Sequence, residues 1–231
     1  RDITASLRAE KERREFMASV THELRTPLHL IQGYLEAIQD GVIPKGEQEE
    51  HIDLVLEEAK RLAKLVAELQ ELDRFESWKE FEKKEIDLAQ FLQELYYRFQ
   101  GRADELGIDL EIEIKPGTIY ANRDRLLQVF INLTENAFRH TPTGKKVGIQ
   151  VEDLVDKIQF SVEDQGEGIP PKALPHIFDR FYRVDKARTR KEGGMGLGLS
   201  IVKMIVEAHD GEIKVESEVG KGTIFKVLIP K

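Results

Sequence analysis

The sequence predicts two unlike parts in one chain: an antiparallel α-helical hairpin that dimerises into a four-helix bundle, then an α/β two-layer sandwich. Two observations carry that prediction. Over the first third of the chain, apolar residues recur at three- and four-residue steps, the mark of long amphipathic helices. Beyond a polar, charged stretch at residues 77–85, helical stripes mix with two-residue alternation, as expected where helices cover one face of a mostly antiparallel sheet.

The elements follow in order. In the first helix Val20, Leu24, Ile31, Leu35 and Ile38 form one stripe; in the second Ile52, Val55, Ala59, Leu62, Val66 and Leu69 keep nearly a heptad step. Gly41-Val42-Ile43-Pro44-Lys45-Gly46 between them carries the breakers of a short connection. Two helices with one seam each bury it poorly alone, and a second hairpin solves the problem. A lone hairpin packed on the second part is the alternative. A third helix is expected over residues 88–106, with Leu88, Phe91, Leu95 and Phe99 on one face. Alternation from Ile108 to Ile114 predicts a half-buried strand, and a fourth helix runs over residues 123–140 behind Asn122 as its cap. Strands are predicted over 147–152 and 157–163, a helix over 200–208, and a closing hairpin over 212–218 and 223–229.

Composition narrows the function. A length of 231 residues suits one or two domains, and a hydrophobic fraction of 40% suffices for real cores. The net charge of -8 argues against a nucleic-acid surface, which needs clustered Lys and Arg. The absence of cysteine excludes disulfides, thiolate metal sites and cysteine nucleophiles. No apolar run approaches the roughly 18 residues of a membrane helix and no signal peptide opens the chain, so a soluble, cytoplasmic piece without membrane contact is expected. Beginning mid-helix at Arg1, it reads as a fragment excised from a longer protein.

His22 is the first candidate for chemistry. At about 100° per residue it lies about 160–200° from Val20, Leu24 and Ile31, opposite the seam. A lone helical histidine is ordinarily a core filler or a solvated surface group; that position removes the first option. Glu23 beside it can hold one ring nitrogen protonated and leave the other nucleophilic. Pro27 donates no amide hydrogen, frees the carbonyl of Glu23 and is expected to kink the helix there. The segment His22-Glu23-Leu24-Arg25-Thr26-Pro27-Leu28 resembles the H-box of the dimerisation and histidine-phosphotransfer domain of sensor histidine kinases. The resemblance implies that His22 accepts a phosphoryl group, that Glu23 is its base or orienter, and that Thr26 positions water when the domain dephosphorylates its partner. Thr26 lies one turn beyond His22 on the same face, as a shared reaction site requires.

Three clusters mark the second part. Asn132 and Asn136 project together, roughly 100° round from the stripe of Leu126, Phe130, Leu133 and Ala137. Two stacked amides can ligate Mg2+, a hard cation that takes oxygen ligands; equally they can be surface amides. Asp164-Gln165-Gly166-Glu167-Gly168-Ile169-Pro170 follows a strand; its glycines permit close approach to a ligand, and an acid there can accept from an adenine amino group, though a lone Gly-x-Gly is usually a turn. Gly193-Gly194-Met195-Gly196-Leu197-Gly198-Leu199-Ser200 leads into a helix, where free amides and the helix dipole favour anions. It is neither a Rossmann fingerprint nor a Walker loop.

With Phe178-Asp179-Arg180-Phe181-Tyr182-Arg183 between the last two, these clusters resemble the N, G1, F and G2 boxes of the histidine-kinase ATPase domain, whose Bergerat fold is shared with DNA gyrase and heat-shock chaperone ATPases. The resemblance implies ATP and Mg2+ as cofactors. Asn136, helped by Asn132, would bind the metal; Arg139 and Arg183 would contact phosphates, with His140 and Tyr182 beside the nucleotide. Asp164 would read adenine in a pocket lined by Gly166, Gly168 and Ile169, and Gly194, Gly196, Leu197, Gly198 and Leu199 would form the lid end. Where the family more often has Lys-Tyr, this chain has Arg139-His140. The implied domains are a signalling helix or linker at 1–15, the phosphotransfer domain at 16–76, a linker at 77–85 and the ATP-binding domain at 86–231.

The expected activity is two half-reactions: phosphorylation of His22 by ATP, then transfer to an aspartate on a response-regulator receiver domain, with receiver dephosphorylation besides. A homodimer and an upstream sensor domain complete the expected partners. Arg1-Asp2-Ile3-Thr4 resembles the end of a PAS domain, and a HAMP linker is the alternative. Two rivals are an ATPase clamp of the gyrase or chaperone class, which has no use for His22-Glu23, and a non-catalytic dimeric scaffold, in which eroded glycines or a missing histidine would be expected.

Overall fold

The structure, a computed structural model, describes residues 3–73, 82–184 and 196–231. It divides into two compact units, Arg1–Asp73 and Arg74–Lys231.

The first unit is a helical hairpin of α1 (Ile3–Gln39) and α2 (Gln48–Asp73). Helix α1 stays helical through Pro27. It ends where Gly41 turns left-handed at φ 70°, which lets the amides of Val42 and Ile43 reach back to the carbonyl of Ala37 at 3.0 and 3.2 Å. Near this connection the rings of Tyr34 and His51 meet edge-on at 5.4 Å, joining the two helices. Val20 and Leu65 are buried, but Leu35, Ile52 and Val66 of the expected seams remain 42–49% exposed. Two round helices can cover only one line of each other, so the rest of each apolar stripe stays open.

The second unit is the expected two-layer sandwich. A five-stranded sheet has the order β2-β4-β5-β7-β6 and is antiparallel except for the pair β2–β4. Its strands are β2 (Asp109–Ile112), β4 (Lys146–Asp153), β5 (Lys157–Asp164), β6 (Glu212–Glu218) and β7 (Gly222–Pro230). Helices α3 (Leu88–Leu106), α4 (Arg123–His140) and α5 (Gly198–Ala208) complete it. The expected strand from Ile108 to Ile114 is confined to four residues, because only those pair with β4.

A further two-stranded sheet, β1 (Lys84–Asp87) antiparallel to β3 (Thr118–Ala121), is not among the strands the sequence predicts. It corrects the expected linker at 77–85: Lys84 and Glu85 are strand, while residues 77–81 lie outside the described residues.

Local chemistry sets the helix ends. Asp87 caps α3 by accepting from the Gln90 amide at 2.9 Å, and Gly107, left-handed at φ 64°, closes it. Asn122 caps α4 through the Arg125 amide at 3.1 Å. The core runs through phenylalanines packed edge to face: Phe91 meets Phe130 at 5.7 Å, and Phe130 meets Phe160 of β5 at 5.1 Å. Each fully buried ring contributes about 1.5–3 kcal/mol.

One buried histidine joins the far ends of α4 and α5. His209 donates from Nδ1 to the Ile205 carbonyl at 2.8 Å and accepts at Nε2 from the Asn122 amide at 3.0 Å. That pair of bonds specifies the neutral ring, and burial holds its pKa below the usual imidazole value. Among the described residues no helix is long and apolar enough to cross a membrane.

Candidate active site

Helix α4 organises the second unit's site. Its inward face is fixed by Leu126, Phe130, Leu133 and Ala137, all buried as expected. That leaves Asn132, Asn136, Arg139 and His140 half-buried along its flank. At the middle of the helix, Asn132 meets the start of α5: a Cβ built on Gly198 would sit 3.7 Å from Asn132 Oδ1. The Asn132 Nδ2 atom is buried without a hydrogen-bond partner. An orphaned buried amide costs about 1–3 kcal/mol, and the site's position, between a second amide one turn on and the open amides of a helix N-terminus, suits a metal-bound polyphosphate. The donor set fits Mg2+, with amide oxygens from the protein and the remaining ligands from phosphate and water.

At the C-terminal end of α4, two turns or about 12 Å further on, the chemistry changes. Asp164, the last residue of β5, is buried. Its Oδ1 accepts from the Gly166 amide at 2.9 Å and the Thr223 amide at 3.2 Å, so Oδ2 is left for a ligand. Burial raises the carboxyl pKa above its usual value, partly opposed by those two amide bonds and by nearby His140. His140 closes this end, with Nδ1 3.2 Å from Glu167 Oε1 and its carbonyl against Gly166. A Cβ on Gly166 would also stand 2.8 Å from Asp164 Oδ1. Gly168 is left-handed at φ 70° and lies against the Glu218 carbonyl. These two glycines are therefore required by close packing beneath the pocket.

The third cluster is described in part. Gly194 lies outside the described residues, as do Gly193 and Met195. Gly196 is left-handed at φ 73°, and its Cβ would fall 2.6 Å from the Tyr182 carbonyl oxygen; its own carbonyl accepts from the Phe181 amide at 2.9 Å. Leu197 is buried and Leu199 half-buried at the start of α5. Tyr182, expected beside a nucleotide, rests its ring on His176 at 5.5 Å, and Arg183 is half-buried.

In the first unit the His22 side chain is 63% exposed, with Nδ1 3.9 Å from Glu23 Oε1. This is ion-pair range, too long for the direct hydrogen bond expected. The Thr26 hydroxyl donates to the His22 carbonyl at 3.2 Å, the bond back to the helix that a helical threonine commonly makes.

Ser217, Gly222 and Thr223 stand in none of the sequence motifs. The turn Val219-Gly220-Lys221-Gly222 joins the two strands of the closing hairpin, and Gly222 at φ 110° lies against the Asp164 carbonyl and so brings the Thr223 amide to Asp164. The second glycine of that turn was the available signal.

Two family models match the chain in tandem. The His Kinase A (phospho-acceptor) domain matches residues 12–78, and the histidine kinase-, DNA gyrase B- and HSP90-like ATPase matches residues 121–231. The chain belongs to the sensor histidine kinases. Its second unit is the ATP-binding domain of that family, with the Bergerat fold. The sensor protein SrrB of Staphylococcus aureus is 39% identical over the whole chain, which spans 40% of SrrB. The chain thus covers about two-fifths of the length of the curated relatives it matches. Among solved structures, the histidine kinase AdeS of Acinetobacter baumannii superposes with a TM-score of 0.74 at 29% identity, over 90% of this chain and 97% of that one. The histidine kinase ThkA, solved in complex with the response regulator TrrA, gives 0.77 at 29% identity over all of this chain and 68% of that one. The ThkA catalytic domain alone is 33% identical over 65% of this chain and 99% of its own, with a TM-score of 0.57.

Proposed function

We propose that this sensor histidine kinase core transfers the γ-phosphoryl group of ATP to His22 and then to an aspartate of a response-regulator receiver domain. The observation that carries this reading is an exposed imidazole beside a carboxylate on a helical unit, in a chain whose other unit holds a buried adenine-type carboxylate. Asp164 accepts the adenine amino hydrogen, with Gly166, Gly168 and Ile169 beneath the base and His140 at its edge. Arg139, Arg183 and the lid end from Gly194 to Leu199, with Tyr182, attend the phosphates. Asn136 and Asn132 hold Mg2+, which when bound offsets phosphate charge. His22 Nε2 attacks the γ-phosphorus while the bond to the β-phosphate oxygen breaks, and ADP leaves. Glu23, next to His22 on the same helix, serves as base or orienter for the imidazole. Transfer requires the ATP-bearing domain to deliver the γ-phosphorus to His22; the chain supplies positioning and electrostatics.

Receiver docking is supported by the ThkA relative, whose solved complex contains a response regulator. Thr26 positions water for dephosphorylation of that receiver. Dimerisation through the hairpin covers Leu35, Ile52 and Val66, left exposed in a single copy. The phosphotransfer domain is assigned to residues 16–76, followed by a linker and the ATP-binding domain; a PAS or HAMP module precedes them in the whole protein. The test is incubation with γ-labelled ATP. Acid-labile, base-stable label on the chain is expected, and released phosphate without label points to an ATPase clamp instead.

A further inference from the structure

The loop that follows Asp164 would be free to drift were it anchored only by its own turn. It is tied instead to the β6–β7 hairpin, and the tie converges on one hydroxyl. Ser217 Oγ lies 2.8 Å from the Ile169 amide nitrogen, 2.9 Å from the Gly222 carbonyl oxygen and 2.9 Å from Thr223 Oγ1. The Ile169 amide can only donate and the Gly222 carbonyl can only accept. A hydroxyl has one proton and two lone pairs, so Ser217 gives its proton to Gly222 and accepts from Ile169 and from the Thr223 hydroxyl. Its hydrogen-bonding capacity is then full. The consequence reaches Asp164 on both sides. Ile169 ends the loop whose Gly166 amide binds Asp164 Oδ1, and Thr223 contributes the other amide on that oxygen. The amide of Gly220, in the same hairpin, bonds the Glu167 carbonyl at 2.8 Å and keeps the loop seated.

We propose that Ser217 is a positioning residue for base selection: by locking the 165–169 loop to the β6–β7 hairpin it fixes which way Asp164 presents its free oxygen. Ser217 need not touch the nucleotide. It decides whether a carboxylate oxygen meets an amino group at a fixed place, which separates adenine from guanine, whose corresponding position is a carbonyl. This rests on the reading of Asp164 as the adenine acceptor.

The experiment measures ATP and GTP affinity by competition against a fluorescent ATP analogue on the whole chain. Ser217→Ala leaves the Ile169 amide and the Gly222 carbonyl without their partner; ATP affinity should fall on the order of tenfold while GTP affinity holds. KM for ATP in autophosphorylation should rise with kcat near native. Ser217→Thr, which keeps the hydroxyl, should restore the ATP-to-GTP ratio. Ser217→Cys, similar in shape but weak in hydrogen bonding, should lower that ratio and serves if the alanine variant folds poorly. Equal loss of ATP and GTP affinity, or a native ratio in both Ser217→Ala and Ser217→Cys, overturns the proposal. Asp164→Asn in parallel separates the two ideas. If it loses ATP affinity while the Ser217 variants keep the native ratio, only the role of Ser217 is wrong. If it binds ATP normally, the adenine reading falls and takes the proposal with it.

Discussion

Asp164 is buried with only part of its charge satisfied, and that has a direction in pH. Desolvation raises its folded pKa above the ordinary carboxylate value, so the folded chain holds this proton more tightly than the unfolded one. Its contribution to stability therefore declines as pH rises through that interval, and at neutral pH the ionised group is a standing cost. Asp164→Asn keeps an oxygen for both amides and removes the charge. The variant should melt no lower than the native chain in the absence of nucleotide, yet lose about tenfold or more in ATP affinity; thermal denaturation beside nucleotide titration checks both. For His22, the expectation is simpler: His22→Gln abolishes autophosphorylation with ATP binding within a few-fold, and uptake of label at the native rate would refute the assignment. Thr26 carries two readings. Its hydroxyl donates to the His22 carbonyl, which leaves its lone pairs for a water. Thr26→Ala should leave autophosphorylation near native and slow receiver dephosphorylation about tenfold. Equal loss of both activities would mean that the hydroxyl only supports the helix.

At the level of elements, the proposed nucleotide site lies along α4 and the start of α5, and the far ends of these helices meet at His209. Because burial lowers the folded pKa of His209, the unfolded chain takes up this proton first. The stability it provides is complete above about pH 6.5 and declines below that value as the unfolded imidazole protonates. Melting temperature followed from pH 7.5 to 5 should fall more steeply in the native chain than in His209→Gln. Helices α3 and α4 were legible to the residue because their signals are local: Asp87 and Gly107 bound one, Asn122 caps the other, and their apolar stripes are regular. Strands β1 and β3 were not, since four residues with one or two buried positions carry little pattern, and their pairing joins Ile86 to Ile119 across the whole of α3. The site divides the same way. Asn132, Asn136, Asp164 and the glycines stand in contiguous motifs. Ser217 and Thr223 gain their roles only because β7 is laid beside β5 with Thr223 opposite Asp164, a register no short window contains.

For the whole molecule, the proposed dimer rests on the hairpin. Leu35, Ile52 and Val66 are apolar side chains that a single copy leaves in water. Sedimentation should find the chain dimeric at micromolar concentration. Leu35→Glu combined with Val66→Glu should give a monomer that still binds ATP; a native-like dimer from that variant would place the contact elsewhere. The sheet order carries a consequence for biosynthesis. β7 follows every other strand in the chain but lies inside the sheet, between β5 and β6, and it supplies an amide to Asp164. A nascent chain emerging from the ribosome can form its helical hairpin early, since that pairing is local. Its sheet, by contrast, cannot be completed until β7 is made: among the described residues β6 pairs with β7 alone, so the two join β5 together as a hairpin, and a nascent chain that stops short of Thr223 holds the helices yet lacks the amide that steadies Asp164.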